Sequence, residues 1–73
     1  MEYTAILHPA EEGGYWAEVP ALPGCFSQGE NIEQTLANVR EAIEAHLEGL
    51  KQEGREFPAE GGLVFAKVEI TSP

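Results

Sequence analysis

Residues 11–29 read EEGGYWAEVPALPGCFSQG, and this stretch decides the predicted fold. Its turn residues separate short strands. Gly13 and Gly14 are free to adopt positive φ, and Pro23-Gly24 fits the central pair of a type II turn. We predict strands over residues 15–19 and 25–28. Residues 3–8 (YTAILH), which Pro9 ends, predict a further strand that forms a hairpin with 15–19.

A long amphipathic helix follows. Its apolar positions recur every three or four residues, which is one face of a 3.6-residue period: Ile32, Leu36, Val39, Ile43, Leu47 and Leu50. Asn31 is placed as the N-cap, with Gln34 three residues later as in a capping box. Gly54 is placed to end the helix in a left-handed conformation.

The last predicted element is a strand over residues 63–70 (LVFAKVEI), after a loop at 55–62. Val64, Ala66, Val68 and Ile70 share one face, while the opposite face mixes apolar and charged residues. The predicted order is therefore β-β-β-α-β in a single domain over residues 1–73. This is an α+β fold, with one helix packed on one face of a mostly antiparallel sheet.

Charge and length restrict the classes of partner. Thirteen acidic residues, all Glu, stand against four basic residues, which gives a formal net charge of −9. Such a chain repels phosphate backbones, so we expect no direct nucleic-acid binding and a basic protein as the natural macromolecular partner. With 42% apolar residues the chain is not a disordered acidic tail.

A chain of 73 residues buries a small core, so we expect help from association. One cysteine excludes an internal disulfide, and we predict a homodimer or higher even oligomer built on strand edges or on an open sheet face. We expect no membrane association and a cytoplasmic location, because the sequence shows neither a long apolar run nor a signal-like N-terminus.

Three short motifs resemble the HicB antitoxin family: EEGGYW at residues 11–16, VPALPGC at 19–25 and SQG at 27–29. The helix IEQTLANVREAI at 32–43 continues the resemblance in order. The resemblance implies a degraded RNase H-like β-β-β-α-β unit that binds and inhibits HicA toxins, which are small basic RNA-cleaving proteins. Family members often add a C-terminal DNA-binding module. This chain stops at Pro73, so we expect no DNA-binding autorepression from it alone.

The sequence gives little support to the hypothesis that the protein is an enzyme. Two-metal nuclease chemistry needs converging carboxylates, yet the sequence has no Asp, and Glu18 is the single strand candidate. Cys25 is interpreted as a buried apolar residue, because neither His8 nor His46 has a reason to converge on it as a base. We expect no catalytic residue, metal or cofactor. A small nuclease or hydrolase remains a minor alternative.

The residues predicted to bind a partner are aromatic and acidic. Tyr15 and Trp16 occupy opposite faces of one strand, so one of them must point away from the helix-facing core. The carboxylates predicted to form an acidic rim are Glu11, Glu12, Glu18, Glu30 and Glu33. The favoured function is that of an antitoxin which covers the RNA surface of a basic HicA-like toxin. The alternative is an interaction domain of the same fold with a different partner.

Overall fold

The computed structural model describes residues 1–72. Three strands and one helix form within them: β1 (Ile6–Pro9), β2 (Tyr15–Glu18), β3 (Phe26–Gly29) and α1 (Ile32–Gln52). The strands lie in the order β1-β2-β3 with both pairs antiparallel. The α+β class predicted from the sequence is confirmed. β1 includes Pro9, which the sequence placed beyond the strand end, and a proline is tolerated there because it ends an edge strand.

Both predicted turns form. The Ala10 N–H donates to the Gly14 carbonyl at 3.0 Å, which closes the β1–β2 turn. The Cys25 N–H donates to the Leu22 carbonyl at 3.0 Å around Gly24, whose φ is +86°. Gly14 has φ +75°, and a Cβ built on it would lie 2.5 Å from the Gly29 carbonyl oxygen. Position 14 therefore requires glycine, because the first turn approaches the end of β3 closely there.

The strand register assigns side chains to two faces. Leu7, Ala17 and Ser27 lie in one row across the sheet, and Ala17 is fully buried against the core. The neighbouring row, His8 with Trp16 and Gln28, points to the opposite side because successive strand residues alternate. The face on the core side packs against α1, and the other face is left without a helix in the described part of the chain.

The core lies between the sheet and α1. Its buried members come from β2, the connection to β3 and the helix: Ala17, Val19, Leu22, Cys25 and Val39. Cys25 is 4% exposed, as the sequence interpretation required, and burial raises the pKa of its thiol. The thiol therefore packs as a small apolar group.

The helix ends follow the prediction. The Asn31 side chain accepts a hydrogen bond from the Gln34 N–H at 2.7 Å, and Gly54 follows the C-cap residue Glu53 with φ +70°. The Gln34 side chain accepts from the N–H of Glu30, one residue earlier than the usual capping box. Thr35 is fully buried at the first turn, where it contacts the end of β3.

The predicted fourth strand does not form within residues 1–72. Residues 63–70 have no regular secondary structure and are exposed along their whole length. Alternating, β-branched residues make this segment able to join a sheet, but a strand exists only through hydrogen bonds to a neighbour. The described chain does not pair these residues with another strand, so the prediction of a strand over residues 63–70 was wrong.

Candidate functional site

A row of aromatic rings crosses the sheet face that α1 does not cover. His8 of β1 stacks on Trp16 of β2, with ring centroids 4.2 Å apart and planes 18° apart. Phe26 of β3 continues the row, tilted by 47° with its ring centroid 6.3 Å from that of Trp16. We call His8, Trp16 and Phe26 the aromatic row. The strand register brings the three together, since each lies on the same face of adjacent strands.

The aromatic row remains open to solvent. Trp16 is 37% exposed and Phe26 is 59% exposed. Aromatic groups that are rigidly placed and still accessible supply large apolar contact area at low entropic cost. The row therefore has the properties of a surface that a protein partner covers.

Glu18 holds the histidine of the row in place. Its Oε2 lies 2.6 Å from His8 Nε2, and both side chains are about one-third exposed. The contact orients the imidazole for stacking on Trp16. It also occupies one oxygen of a carboxylate that the sequence assigned to the acidic rim, so Glu18 presents less free acceptor capacity than its neighbours.

An open groove of about 690 Å³ lies at the end of the sheet nearest the first turn. Glu12 and Glu30 line it together with Tyr15 and Trp16, so aromatic and acidic groups share one surface. We call this the acidic groove. Asn38 closes one side and donates from Nδ2 to the Gln28 carbonyl at 2.8 Å. That hydrogen bond ties α1 to β3 beside the groove.

The sequence matches the profile of a family over residues 3–69, and the description of that family is "HicB_like antitoxin of bacterial toxin-antitoxin system". This chain belongs to the HicB-like antitoxin family. The match extends beyond the described helix and includes most of residues 63–70.

Relatives of this HicB-like protein occur in archaea, bacteria and a phage. A UPF0150 protein of Thermoplasma acidophilum is 47% identical over 58 residues, which cover 80% of this chain and 84% of the relative. A UPF0150 protein of Helicobacter pylori is 43% identical over 70 residues, or 96% of each chain. A 14.9 kDa protein of Haemophilus phage HP1 is 42% identical over 58 residues, which cover 80% of this chain and 43% of the phage protein.

The residues predicted to bind a partner fall at different places on the HicB-like fold. Trp16 is the aromatic residue that points away from the helix, and Tyr15 lies on the other side of β2 at the acidic groove. Glu12 and Glu30 line that groove, whereas Glu18 lies beside His8. The two remaining carboxylates are exposed outside the groove lining, one in the first turn and one at the start of α1: Glu11 and Glu33.

Two members of the aromatic row were not predicted as site residues. His8 was considered only as a possible base for Cys25, and Phe26 was not singled out. The available signal was the alternation along each strand, which places them on the Trp16 face once the β1–β2 and β2–β3 registers are known. Three short strands do not fix those registers from sequence, because a shift by one residue reverses the face of every side chain.

Two further features bear on other functions. Residues 1–72 contain no group of three or more His, Cys, Asp or Glu side chains arranged to hold a metal ion. In the same range, no helix has both the length and the apolar character needed to cross a lipid bilayer.

Proposed function

We propose that this HicB-like protein is an antitoxin that binds a small, basic HicA-like RNA-cleaving toxin in the cytoplasm and covers its RNA-binding surface. The observation that carries the proposal is the exposed aromatic row on the sheet face that α1 leaves uncovered, together with the acidic groove at the adjoining end of the sheet. Family membership supports an antitoxin role. A surface that binds RNA is basic. Carboxylates can take the place of the RNA phosphates on such a surface, and aromatic rings can take the place of the bases.

The charges set how fast the pair associates. The chain has a formal net charge of −9, and Glu11, Glu12 and Glu30 are exposed around the β1–β2 turn and the acidic groove. Each exposed ion pair contributes roughly 0.2–1 kcal/mol, so no single carboxylate dominates affinity. Their summed field raises the association rate with a cationic partner and makes that rate depend on salt.

The aromatic row sets how long the complex lasts. Tryptophan buried at the centre of an interface is a frequent hot spot, and its truncation costs on the order of 2 kcal/mol or more. Trp16 is held by its stack with His8 and by its neighbour Phe26, so little conformational freedom is lost on binding. We therefore assign most of the dissociation barrier to this row.

The first experiment asks whether the pair exists. The chain is co-expressed with the product of the adjacent reading frame, and the two are co-purified through a tag on the partner. We expect a stable complex when that product is a small basic protein, together with loss of its RNA cleavage. A basic adjacent product that cleaves RNA unhindered by this chain would support the alternative, an interaction domain with a different partner.

The second experiment locates the apolar anchor. Trp16→Ala is compared with Phe57→Ala, because Phe57 is 38% exposed, nearly as much as Trp16, but follows α1 and lies outside the row. We expect Trp16→Ala to raise the dissociation rate by about thirtyfold, which corresponds to ~2 kcal/mol, and Phe57→Ala to leave it unchanged. Circular dichroism must show that both variants are folded. Equal dissociation rates would remove the row from the interface.

The third experiment separates the effect of the carboxylates near the acidic groove from the effect of the net charge of the chain. Two triple Glu→Gln variants have the same total charge: one changes Glu11, Glu12 and Glu30, and the other changes Glu41, Glu48 and Glu56. All six residues are exposed. We expect slower association and a flatter salt dependence for the first set than for the second. If the two variants associate alike, only the overall charge matters and the acidic groove is not the docking surface.

A further inference from the structure

The segment at residues 63–70 exposes apolar side chains that a folded chain ordinarily covers. Val64 is 86% exposed, and Phe65, Val68 and Ile70 are each more than 60% exposed. The Cα radius of gyration is 14.7 Å, against about 11 Å for a compact domain of this length. The segment thus stands away from the body of the protein.

A second surface of the same chain is open and matches this segment. A groove of about 470 Å³ lies between residues that precede β1 and the apolar stripe of α1. Tyr3 and Ala5 form one wall, and Leu36, Ile43 and Leu47 form the other. Leu36 is 49% exposed, although its position in the stripe predicts burial. We call this surface the β1 groove.

The β1 groove lies beside an unpaired sheet edge. In the part of the chain that the structure describes, β1 is hydrogen-bonded to β2 and has no strand on its other side. An open edge offers backbone donors and acceptors to an added strand. A strand placed there would extend the sheet and turn one of its faces towards α1, where the side chains of Val64, Ala66, Val68 and Ile70 supply an apolar face.

The chain's own segment is directed elsewhere. The Tyr3 hydroxyl donates to the Pro58 carbonyl at 2.6 Å, and Thr4 donates from its backbone N–H and its hydroxyl to the Glu60 carboxylate. These contacts hold residues 58–60 at the start of β1. Gly61 and Gly62 follow, with φ +64° at Gly62, and residues 63–70 are then exposed to solvent, with none of them among the residues that line the groove.

We propose that residues 63–70 of one copy of this chain pair with the β1 edge of a second copy and fill its β1 groove, and that the exchange is reciprocal. Each chain has both the segment and the groove, so two copies related by a two-fold axis can each place their segment in the groove of the other. Charge favours a second copy as the occupant. The segment carries Lys67 and Glu69, and the groove is lined by Arg40 and Glu44, so each surface has no net charge although the chain as a whole has a net charge of −9. These two surfaces therefore do not repel each other when two copies meet.

The exchange leaves the Trp16 face free, since that face lies on the other side of the sheet from α1. The inference is therefore independent of the proposed antitoxin role. A dimer of this kind would present two aromatic rows.

Light scattering on the full chain measures the association. At about 0.15 M salt, where long-range repulsion between two acidic copies is largely screened, we expect a species of twice 7.9 kDa. Val68→Lys is compared with Glu69→Gln, because each raises the net charge by one while they affect opposite faces of the segment. We expect Val68→Lys to weaken dimerisation by at least about tenfold, because it buries a charge in an apolar groove, and Glu69→Gln to leave it nearly unchanged.

Isotope-filtered NMR on a mixture of differently labelled full chains identifies the pairing. We expect intermolecular NOEs between residues 63–70 of one copy and residues 4–8 of the other. Contacts between these residues within one chain would show docking in cis and overturn the proposal. Contacts between the two 63–70 segments would overturn it as well, and so would a chain that remains monomeric at millimolar concentration.

Discussion

β2 and residues 63–70 were both predicted as strands from the sequence but differ in structure. As a strand, either YWAE at 15–18 or LVFAKVEI at 63–70 places successive side chains on opposite faces. β2 lies between two strands, with Ala17 fully buried, whereas the later segment pairs with no strand inside residues 1–72 and is exposed throughout. The difference shows that alternation makes a segment able to form a strand, and that a neighbour at the right distance is what forms it.

The neighbour of β2 is local and that of residues 63–70 is not. A short turn that closes between Ala10 and Gly14 returns the chain to β1. Along the chain, residues 63–70 are separated from the free edge of β1 by the rest of the sheet and by the whole of α1. Tyr3 and Thr4 nevertheless contact residues 58–60, so the chain has already returned to the start of β1 before this segment begins. The entropy of loop closure therefore does not explain the unpaired segment, and the turn at Gly61 and Gly62 decides where it runs.

Thiol labelling gives the largest contrast between the two regions. Cys25 is 4% exposed beside β3, and burial raises the pKa of its thiol. We expect it to react with a thiol reagent several thousandfold more slowly than a thiol introduced by Val64→Cys, because its reaction requires opening of a domain stable by about 5 kcal/mol. The comparison is made at a concentration where the chain is monomeric, with Cys25→Ser as the background for the second thiol.

The pH dependence of labelling has a definite sign. The raised pKa means that the folded protein holds the Cys25 proton more tightly than the unfolded chain does. Stability therefore falls as pH rises above the unfolded thiol pKa, and labelling of Cys25 accelerates there beyond the effect of thiolate formation. Equal labelling rates for the two thiols at all pH values would show that the core around Cys25 opens freely.

Glycine substitution gives the next largest contrast. Gly14→Ala places a methyl group 2.5 Å from the Gly29 carbonyl oxygen at φ +75°, whereas Gly61→Ala meets no atom within 4 Å. We expect Gly14→Ala to lower the free energy of unfolding by about 3 kcal/mol or more, and Gly61→Ala to change it by less than about 0.5 kcal/mol. Urea unfolding followed by circular dichroism measures both. A mild Gly14→Ala variant would mean that the first turn and the end of β3 can separate at little cost.

The aromatic row gives the smallest effect. His8 and Trp16 stack with centroids 4.2 Å apart on an exposed face, and such pairs contribute about 0.5–1.5 kcal/mol beyond their buried area. A double-mutant cycle with His8→Ala and Trp16→Ala should return a coupling free energy of that size in urea unfolding. A coupling near zero would indicate that the row is held by the β-ladder alone, and that its arrangement on the surface owes nothing to stacking.

The helix and the turns were accessible from sequence because their determinants are local. Asn31 caps the residues next to it, Gly54 ends the helix a few residues after its last apolar position, and Gly24 supplies the positive φ of its own turn. None of these needs knowledge of the rest of the fold. The strand ends differed from the prediction by at most three residues, and the start of β2 coincided with it, because ladder hydrogen bonds rather than residue types decide where a strand begins.

Only part of the candidate site could be predicted from the sequence. Trp16 and Tyr15 were assigned to opposite faces by alternation alone, but which face α1 covers depends on the packing of α1 against β2 and β3. The row with His8 and Phe26 and the contact of Glu18 with His8 depend on register between strands. Glu12 and Glu30 came to line one groove because Gly14 and Gly29 cross closely, a contact between residues fifteen apart.

The sequence by itself determined the segments: which residues can form strands, where the helix starts and stops, and that the surface is acidic. These properties follow from backbone preferences, side-chain periodicity and charge count, all of which are carried within a few residues. Only the tertiary structure decided that His8, Trp16 and Phe26 form one surface, that residues 63–70 remain exposed, and that the β1 groove stays open. Both outcomes depend on contacts between distant residues, whose free energy is set by register and packing rather than by local sequence.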